Sequence, residues 1–151
     1  MGRSATLKKS AKPSKPGYIL DEQIGFILRQ VWQRHASIFS RDIGINLTSA
    51  QWAALAKLTE TGPCSQNQLG RLTAMDVATI KGVIDRLSAR GLTETSSDPE
   101  DGRRLLVSLT RAGQQMADKA AANALAISRE TLSPLDTKER ETLFALLNKL
   151  R

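Results

Sequence analysis

Apolar residues recur at helical spacing along most of this chain. Between residues 21 and 41 a repeat of three and four residues predicts a first helix, with apolar positions at Ile24, Ile27, Leu28, Val31, Ile38 and Phe39. A second helix is predicted to begin after Thr48, which is a suitable N-cap, and to end before Gly62 and Pro63. Each predicted helix has an apolar face and therefore needs another element to pack against.

Two shorter segments follow, separated by only a few residues. Ser65 and Gln68 have the spacing of a capping box, which predicts a short helix over residues 66–72. Residues 73–75 form a turn, and Asp76 caps a further helix that ends at Gly91, a residue type common just past helix C-termini. This helix, over roughly residues 76–90, is predicted to bury Val77, Ile80, Ile84 and Leu87.

A β-hairpin is predicted next. Residues 92–95 and 103–109 favour strands, and the residues between them are rich in turn formers. Thr110 then caps a long alanine-rich helix over about residues 111–131, which Pro134 separates from the next segment. A last helix, capped by Asp136 or Thr137, carries Leu143, Leu146, Leu147 and Leu150.

This order of elements is typical of a winged helix-turn-helix, so the predicted fold is mainly α with a small β-hairpin wing. The flanking helices have apolar stripes with few aromatic residues, which suits packing between two copies of the chain. We therefore expect a homodimer. The predicted organisation is a disordered basic tail over residues 1–17, a dimerisation helix over 18–47, a DNA-binding winged helix-turn-helix over 48–113 and dimerisation helices over 114–151.

Composition narrows the possible functions without deciding between them. The formal net charge is +7, but residues 1–17 alone carry five basic residues and no acidic one. Residues 61–113 have a surplus of only one positive charge, so charge alone does not establish DNA binding. The single cysteine, Cys64, excludes an internal disulfide and suits a reducing cytoplasm. No apolar run approaches the length of a bilayer, so no membrane association is expected.

The polar face of the second helix of the pair carries the predicted contacts to double-stranded DNA. Small residues such as Ala78 let a helix enter a major groove about 12 Å wide. Thr79 can contact a base edge, Lys81 can reach a phosphate or a guanine, and Arg86 lies on the same face. At the start of the preceding helix, Ser65 and Gln66 are expected to meet the DNA backbone.

Two arginines at the predicted hairpin tip are further candidates. The loop is Asp98-Pro99-Glu100-Asp101-Gly102-Arg103-Arg104. An arginine there can enter a narrow A·T-rich minor groove, where the negative potential is strongest, and Asp98 or Asp101 can brace Arg103. The alternative is an ordinary solvated hairpin with a surface ion pair.

These segments together resemble the MarR family of transcription regulators. The resemblance covers residues 21–151 and rests on Leu87-Ser88-Ala89-Arg90-Gly91-Leu92, the loop DPEDGRR, and Leu109-Thr110-Arg111-Ala112-Gly113. It implies a triangular dimer clamped by N- and C-terminal helices, usually a repressor. Many members carry another arginine where this chain has Gly102, so the minor-groove contact stays open between Arg103 and Arg104.

Candidate effector-binding residues lie on the first predicted helix. His35, the only histidine, continues an apolar stripe and needs a hydrogen-bond partner there. That partner is either a protein group or an anionic aromatic ligand. In the second case Arg34 or Arg41 would pair with a carboxylate, and Trp32 would stack on the ring.

The stretch LDEQIGFILRQVWQRHASIF resembles the first helix of nicotinate-responsive MarR members. This resemblance implies a small hydroxylated pyridine carboxylate, similar to 6-hydroxynicotinate, as effector. It also implies control of genes for aromatic-acid catabolism. The second helix of the pair, over roughly residues 76–90, is the predicted recognition helix. In a twofold dimer its two copies lie about one DNA turn apart, so the operator should be an imperfect palindrome.

Other functions are less well supported. One histidine and one cysteine leave no catalytic triad or metal cluster, and no glycine-rich phosphate loop is present, so neither an enzyme nor a cofactor is expected. Cys64 could make the protein a redox-responsive regulator, although the chain has no resolving cysteine. A winged-helix module that binds protein instead of DNA is the other alternative.

Overall fold

A computed structural model describes residues 17–151, and within them it contains six α-helices and one β-hairpin. After a single 3-10 turn, the helices are α1 (Ile24–Asp42), α2 (Ser49–Thr61), α3 (Gln66–Leu72) and α4 (Val77–Ala89). The strands β1 (Thr93–Ser97) and β2 (Leu105–Leu109) follow, and then α5 (Arg111–Thr131) and α6 (Thr137–Asn148). This order confirms the predicted winged helix-turn-helix with flanking helices. The predicted tail lies outside the described residues except for Gly17.

Side-chain caps fix where most helices begin. Thr48 and Asp136 each form a reciprocal capping box, while Asp76 and Thr110 accept from the backbone N–H three residues on. Ser65 Oγ accepts from Gln68 N at 3.2 Å, so it caps α3 as predicted. The full capping box predicted for Ser65 is wrong, because the Gln68 amide oxygen instead accepts a hydrogen bond from the wing.

The hairpin is attached directly to the helix-turn-helix. Its strands are antiparallel, with Thr93 opposite Leu109 and Ser97 opposite Leu105. Cys64, just before α3, forms a short third bridge, in which its N–H donates to Val107 O at 3.2 Å and Val107 N donates to Cys64 O at 2.8 Å. The wing is therefore held in a fixed position beside α3.

One apolar core joins the helix-turn-helix to α1, α2, α5 and the wing, with Leu55, Leu69, Ile80, Leu87 and Ile127 fully buried. In α4 the prediction for Val77 is wrong, since it is 68% exposed. Val77 is the first residue of α4 and lies beyond the edge of the core, while the buried face continues instead through Val83.

A large apolar surface remains exposed on the N-terminal part of the described chain and on α5 and α6. No residue of α6 is buried, and the stripe of α1 that leads to His35 is about half exposed at Leu28 and Val31. The exposed apolar residues of these regions, with Leu150 just after α6, are Tyr18, Ile19, Leu20, Ile24, Ile27, Leu28, Val31, Trp32, Leu125, Phe144, Leu146, Leu147 and Leu150. None of the helices in residues 17–151 combines the length and apolar character needed to cross a bilayer.

Candidate nucleic-acid interface and adjoining cavity

The face of α4 turned away from the core is exposed at Ala78, Thr79, Lys81 and Arg86. The helix start is fixed by Asp76, whose Oδ1 accepts from Thr79 N at 2.7 Å. This hydrogen bond holds the pKa of Asp76 below its ordinary value, so the cap carries a negative charge at neutral pH, which also suits the positive end of the helix dipole.

Farther along α4, the side chains of Lys81 and Arg86 lie close to the helix surface. Lys81 Nζ lies 2.7 Å from Asp85 Oδ2, one turn on, and both side chains are well exposed. A Cβ added at Gly82 would lie 3.4 Å from Arg86 Nη1, so the Arg86 guanidinium folds back over the space that this glycine leaves. The face is therefore low at Ala78 and Thr79, with the cations of Lys81 and Arg86 beside it, which is a shape that fits a DNA groove.

The two wing arginines differ in direction. The side chain of Arg103 is 96% exposed, and its Nε lies 3.6 Å from Asp101 Oδ1. Arg104 is turned toward α3, where its Nη2 donates to Gln68 Oε1 at 3.4 Å and its Nη1 lies 3.9 Å from Asp98 Oδ2. The sequence left open whether Asp98 or Asp101 braces Arg103, and the structure places Asp101 beside it. Arg103 is the arginine that projects from the wing.

Between the wing and α3 lies a groove of about 320 Å³. Ser65, Gln66, Asn67 and Arg104 are among its lining residues, so the two residues predicted to meet the DNA backbone lie beside a wing arginine. The groove therefore brings polar side chains at the start of α3 together with one guanidinium of the wing.

Cys64 pairs with Val107, a lining residue of this groove, and is only 3% exposed. Burial raises the pKa of its thiol above the ordinary value, and the opposing effect of the nearby Arg104 charge is smaller. Reactive cysteines need an accessible thiolate. The environment of Cys64 therefore favours a structural role over redox sensing.

A second concave region, of about 190 Å³, lies between α1, α2 and α5. It brings together Trp32 and His35 of α1, whose ring centroids are 5.6 Å apart, and Trp52 of α2 also lines it. Its full lining is Trp32, His35, Phe39, Ser49, Trp52, Ala124, Ile127 and Ser128. We call this region the cavity.

The hydrogen bonds of His35 define which ring nitrogen carries a proton. His35 Nδ1 is 2.9 Å from Thr131 Oγ1, and Thr131 Oγ1 itself donates to Ile127 O at 2.9 Å. Because the hydroxyl has only one hydrogen, Thr131 Oγ1 must accept from His35 Nδ1–H. In the neutral imidazole Nε2 is then the acceptor, and it is the nitrogen that remains for another partner.

The two candidate arginines of α1 are engaged elsewhere. Arg34 donates to the carbonyls of Glu130, at 3.1 Å, and of Thr131, and so caps the C-terminal end of α5. Arg41 pairs with Asp42 through two contacts of 2.6 Å, and this pair lowers the pKa of Asp42. Neither guanidinium lines the cavity, so the structure brings together Trp32 and His35 but not the cation expected beside them.

Several lining residues escaped the sequence analysis. Ser49, Ala124 and Ser128 have no local signature of ligand binding, because they come from helices that are distant in sequence. Val77 was missed on the exposed side of α4 because it fits the apolar period of that helix. Among residues 17–151 there is no cluster of three or more His, Cys, Asp or Glu side chains able to hold a metal ion.

A tight helix pair with an exposed second helix, joined to a wing that projects an arginine, defines a winged helix-turn-helix DNA-binding protein. The MarR family profile matches residues 47–105. The repressor NicR of Pseudomonas putida is 38% identical over 146 residues, which cover 96% of this chain and 92% of NicR. The chain belongs to the MarR family.

Two solved structures extend this similarity to three dimensions. A probable transcriptional regulator from Pseudomonas aeruginosa is 59% identical, with a TM-score of 0.85 over 88% of this chain and 100% of that one. BpsR of Bordetella bronchiseptica, whose DNA binding is regulated by 6-hydroxynicotinic acid, is 39% identical, with a TM-score of 0.84 over 89% and 96%. The chain is a transcription regulator of the NicR and BpsR type and not an enzyme.

Proposed function

We propose that this protein is a homodimeric repressor that leaves a palindromic operator when a small hydroxylated pyridine carboxylate enters the cavity. The effector is 6-hydroxynicotinate or a close analogue, and the regulated genes serve aromatic-acid catabolism. The observation that carries the DNA-binding part is the exposed, low polar face of α4 beside a projecting wing arginine. The effector part rests on the cavity and on the similarity to NicR and BpsR.

The exposed apolar surface supports the homodimer. Helix α6 has 12 residues, a length that is marginal for a helix in isolation, and none of them is buried within this chain. A second copy that packs on α6 and on the start of α1 would remove this surface from water. A twofold axis would then place two copies of α4 about one DNA turn apart, which requires a palindromic site.

On DNA, α4 would lie in the major groove with its first turn nearest the base edges. Thr79 supplies a hydroxyl and a methyl group there, and Val77, exposed at the helix start, supplies an apolar contact for a thymine methyl. Lys81 and Arg86 reach phosphates or guanines, while Ser65 and Gln66 meet the backbone beside Arg104. Arg103 enters the minor groove.

The DNA-binding part is tested by selecting sites from a random duplex library and measuring affinity for the selected sequence by fluorescence anisotropy across salt concentrations. Affinity of the wild-type protein should fall steeply with salt, because phosphate contacts release counterions. Arg103→Ala should weaken binding about tenfold, since one well-placed arginine contributes about 1–3 kcal/mol.

The matched control for this wing contact is Arg104→Ala, because Arg104 is turned toward Gln68 and should matter less than Arg103. Equal affinity of Arg103→Ala and wild type for the selected site would contradict the minor-groove contact. Failure to enrich any sequence would favour the protein-interaction module.

For the effector, the volume of the cavity indicates a single-ring ligand, since drug-sized sites are about 300–1,000 Å³. Trp32 and Trp52 offer faces for ring stacking. With Nδ1 engaged by Thr131, neutral His35 can accept a hydrogen bond at Nε2 from a ligand O–H or N–H. The hydroxyls of Ser49 and Ser128 can donate to the carboxylate, and Arg34 can join them only by exchanging its α5 carbonyl partners.

Calorimetric titration tests this arrangement by comparing 6-hydroxynicotinate with nicotinate, which lacks the donor for Nε2. We expect the hydroxylated ligand to bind at least about tenfold more tightly, because loss of a partner leaves a buried polar group unpaired. His35→Asn should weaken this binding strongly yet keep DNA binding, since its amide N–H can still donate to Thr131. His35→Ala should likewise abolish ligand-induced release. If His35→Asn binds 6-hydroxynicotinate as tightly as the wild-type protein does, Nε2 does not contact the ligand.

A further inference from the structure

The loop between α1 and α2, residues 43–48, is tied to α5 by one side chain and to α4 by another. We infer that Arg90 is a positioning residue for the recognition helix and that it transmits the state of the cavity to α4 through this loop. The positioning role stands on the contacts of Arg90 alone, whereas the transmission from the cavity rests on the effector response proposed above. We call residues 43–48 the connecting loop.

The connecting loop begins and ends at the cavity. Phe39, four residues before Ile43, and Ser49, directly after the loop, are both lining residues. Ile43 and Leu47 are buried, so they anchor the loop in the core. A change in the separation of α1 from α2 is therefore taken up by the connecting loop.

Asn123 on α5 ties this loop to the third wall of the cavity. Its Nδ2 donates to Ile43 O at 3.0 Å, and the next residue, Ala124, lines the cavity. The contact is tight: Gly44 has φ +73°, and a Cβ there would lie 3.0 Å from Asn123 Nδ2. Because there is little free space between them, a displacement of α5 reaches the connecting loop directly.

Arg90 makes the second link, from the connecting loop to the recognition helix. Its Nη1 donates to Asn46 O at 2.5 Å, across 44 residues of sequence. Arg90 is also the C-cap residue of α4, and its N–H donates to Arg86 O and Leu87 O, each at 3.2 Å. A charged donor makes a strong bond to a carbonyl. Movement of Asn46 therefore acts on the last turn of α4.

These contacts give the effector a route to the DNA-reading face. A ring that enters a cavity of about 190 Å³ favours the arrangement with the widest separation of α1, α2 and α5. That arrangement shifts the connecting loop against Asn123, and Arg90 carries the shift to α4. The orientation of α4 then differs between the operator-binding and the effector-binding states.

A direct phosphate contact by Arg90 is the competing explanation, since its side chain is exposed near the end of α4. The two roles differ in salt dependence. A lost phosphate contact lowers the slope of log affinity against log salt by about one, whereas a lost internal contact leaves that slope unchanged.

The decisive experiment needs no effector. Operator affinity is measured for Arg90→Ala, Asn123→Ala and the double variant, with Lys119→Ala as a control that removes an exposed cation of α5. We expect each single variant to bind about fivefold more weakly with an unchanged salt slope, and the double variant to be no weaker than either one. Additive effects, or a lower salt slope in Arg90→Ala, would overturn the inference. Circular dichroism establishes that each variant is folded.

A second arm adds 6-hydroxynicotinate at saturating concentration. In Arg90→Ala the effector should still bind the DNA-free protein within about twofold of wild type, but its effect on operator affinity should shrink toward none. A full wild-type effect in Arg90→Ala would contradict transmission through this residue. If the wild-type protein does not respond to 6-hydroxynicotinate, the proposed effector is wrong, and the DNA-only measurements still decide the role of Arg90.

Discussion

Gly113 lies in the first turn of α5, where this helix meets the segment that follows α4. A Cβ added there would be 1.9 Å from Leu92 O and 2.9 Å from Leu92 C, both backbone atoms. The same Leu92 O accepts from Thr110 N at 3.1 Å, and Thr110 Oγ1 donates to Gly91 O at 2.6 Å. Gly113→Ala therefore forces apart the segment that joins α4, the wing and α5.

The cost follows from this geometry. To reach an ordinary contact the added methyl must move by more than about 1 Å against backbone, and overpacking of this kind costs about 1–3 kcal/mol. Loss of the hydrogen bond from Thr110 N to Leu92 O adds about 1 kcal/mol. A total of about 2–4 kcal/mol lowers the Tm of a chain of this size by roughly 5–15 °C.

Differential scanning calorimetry at one fixed protein concentration measures this shift, because the Tm of a dimer depends on concentration. The control is Gly102→Ala in the wing loop, where a Cβ would meet no atom within 4 Å. Operator affinity should fall as well in Gly113→Ala, since the end of α4 is displaced. A Tm within about 2 °C of wild type would show that the backbone relaxes easily, and the reasoning from close approach would fail.

Two further predictions concern the thiol and the dimer. Cys64 should react with a maleimide at least about tenfold more slowly in the native protein than in urea, because burial raises the pKa of the thiol and blocks access to it. Labelling of the native protein at the rate seen in urea would support the redox alternative. Leu146→Glu should raise the dimer dissociation constant on the order of 100-fold in sedimentation equilibrium, because an unpaired charge would be buried between the subunits. An unchanged dissociation constant would place the interface away from α6.

Helix starts were predictable because their signals are local. Thr48, Asp76, Thr110 and Asp136 each accept from a backbone N–H three residues away, so a short stretch of sequence contains both partners. Ser65 shows the limit of this reasoning. Its own cap forms, but the side chain of Gln68 is used by Arg104, 36 residues away, and no local pattern contains that competitor.

Features that depend on distant elements could not be read from the sequence. Periodicity gives α4 an apolar face but not the edge of the core. Val77 was therefore assigned to the core incorrectly and the buried Val83 was left out, while Ile80 and Leu87 were correct. The cavity is a similar case. Trp32 and His35 stood out as an aromatic and a lone histidine on one helix, whereas Ser128 contributes only through the packing of α5 against α1.

The two interpretations of His35, a structural histidine and a ligand contact, need not exclude each other. Arg34 and His35 are adjacent, and both bind the end of α5, through the carbonyls of Glu130 and Thr131 and through Thr131 Oγ1. The imidazole uses only Nδ1 in this way. A ligand at Nε2 would therefore act on a residue that already holds one wall of the cavity in place, and movement of that wall reaches Asn123 on the same helix. His35 is for this reason both held by the structure and suitably placed for sensing.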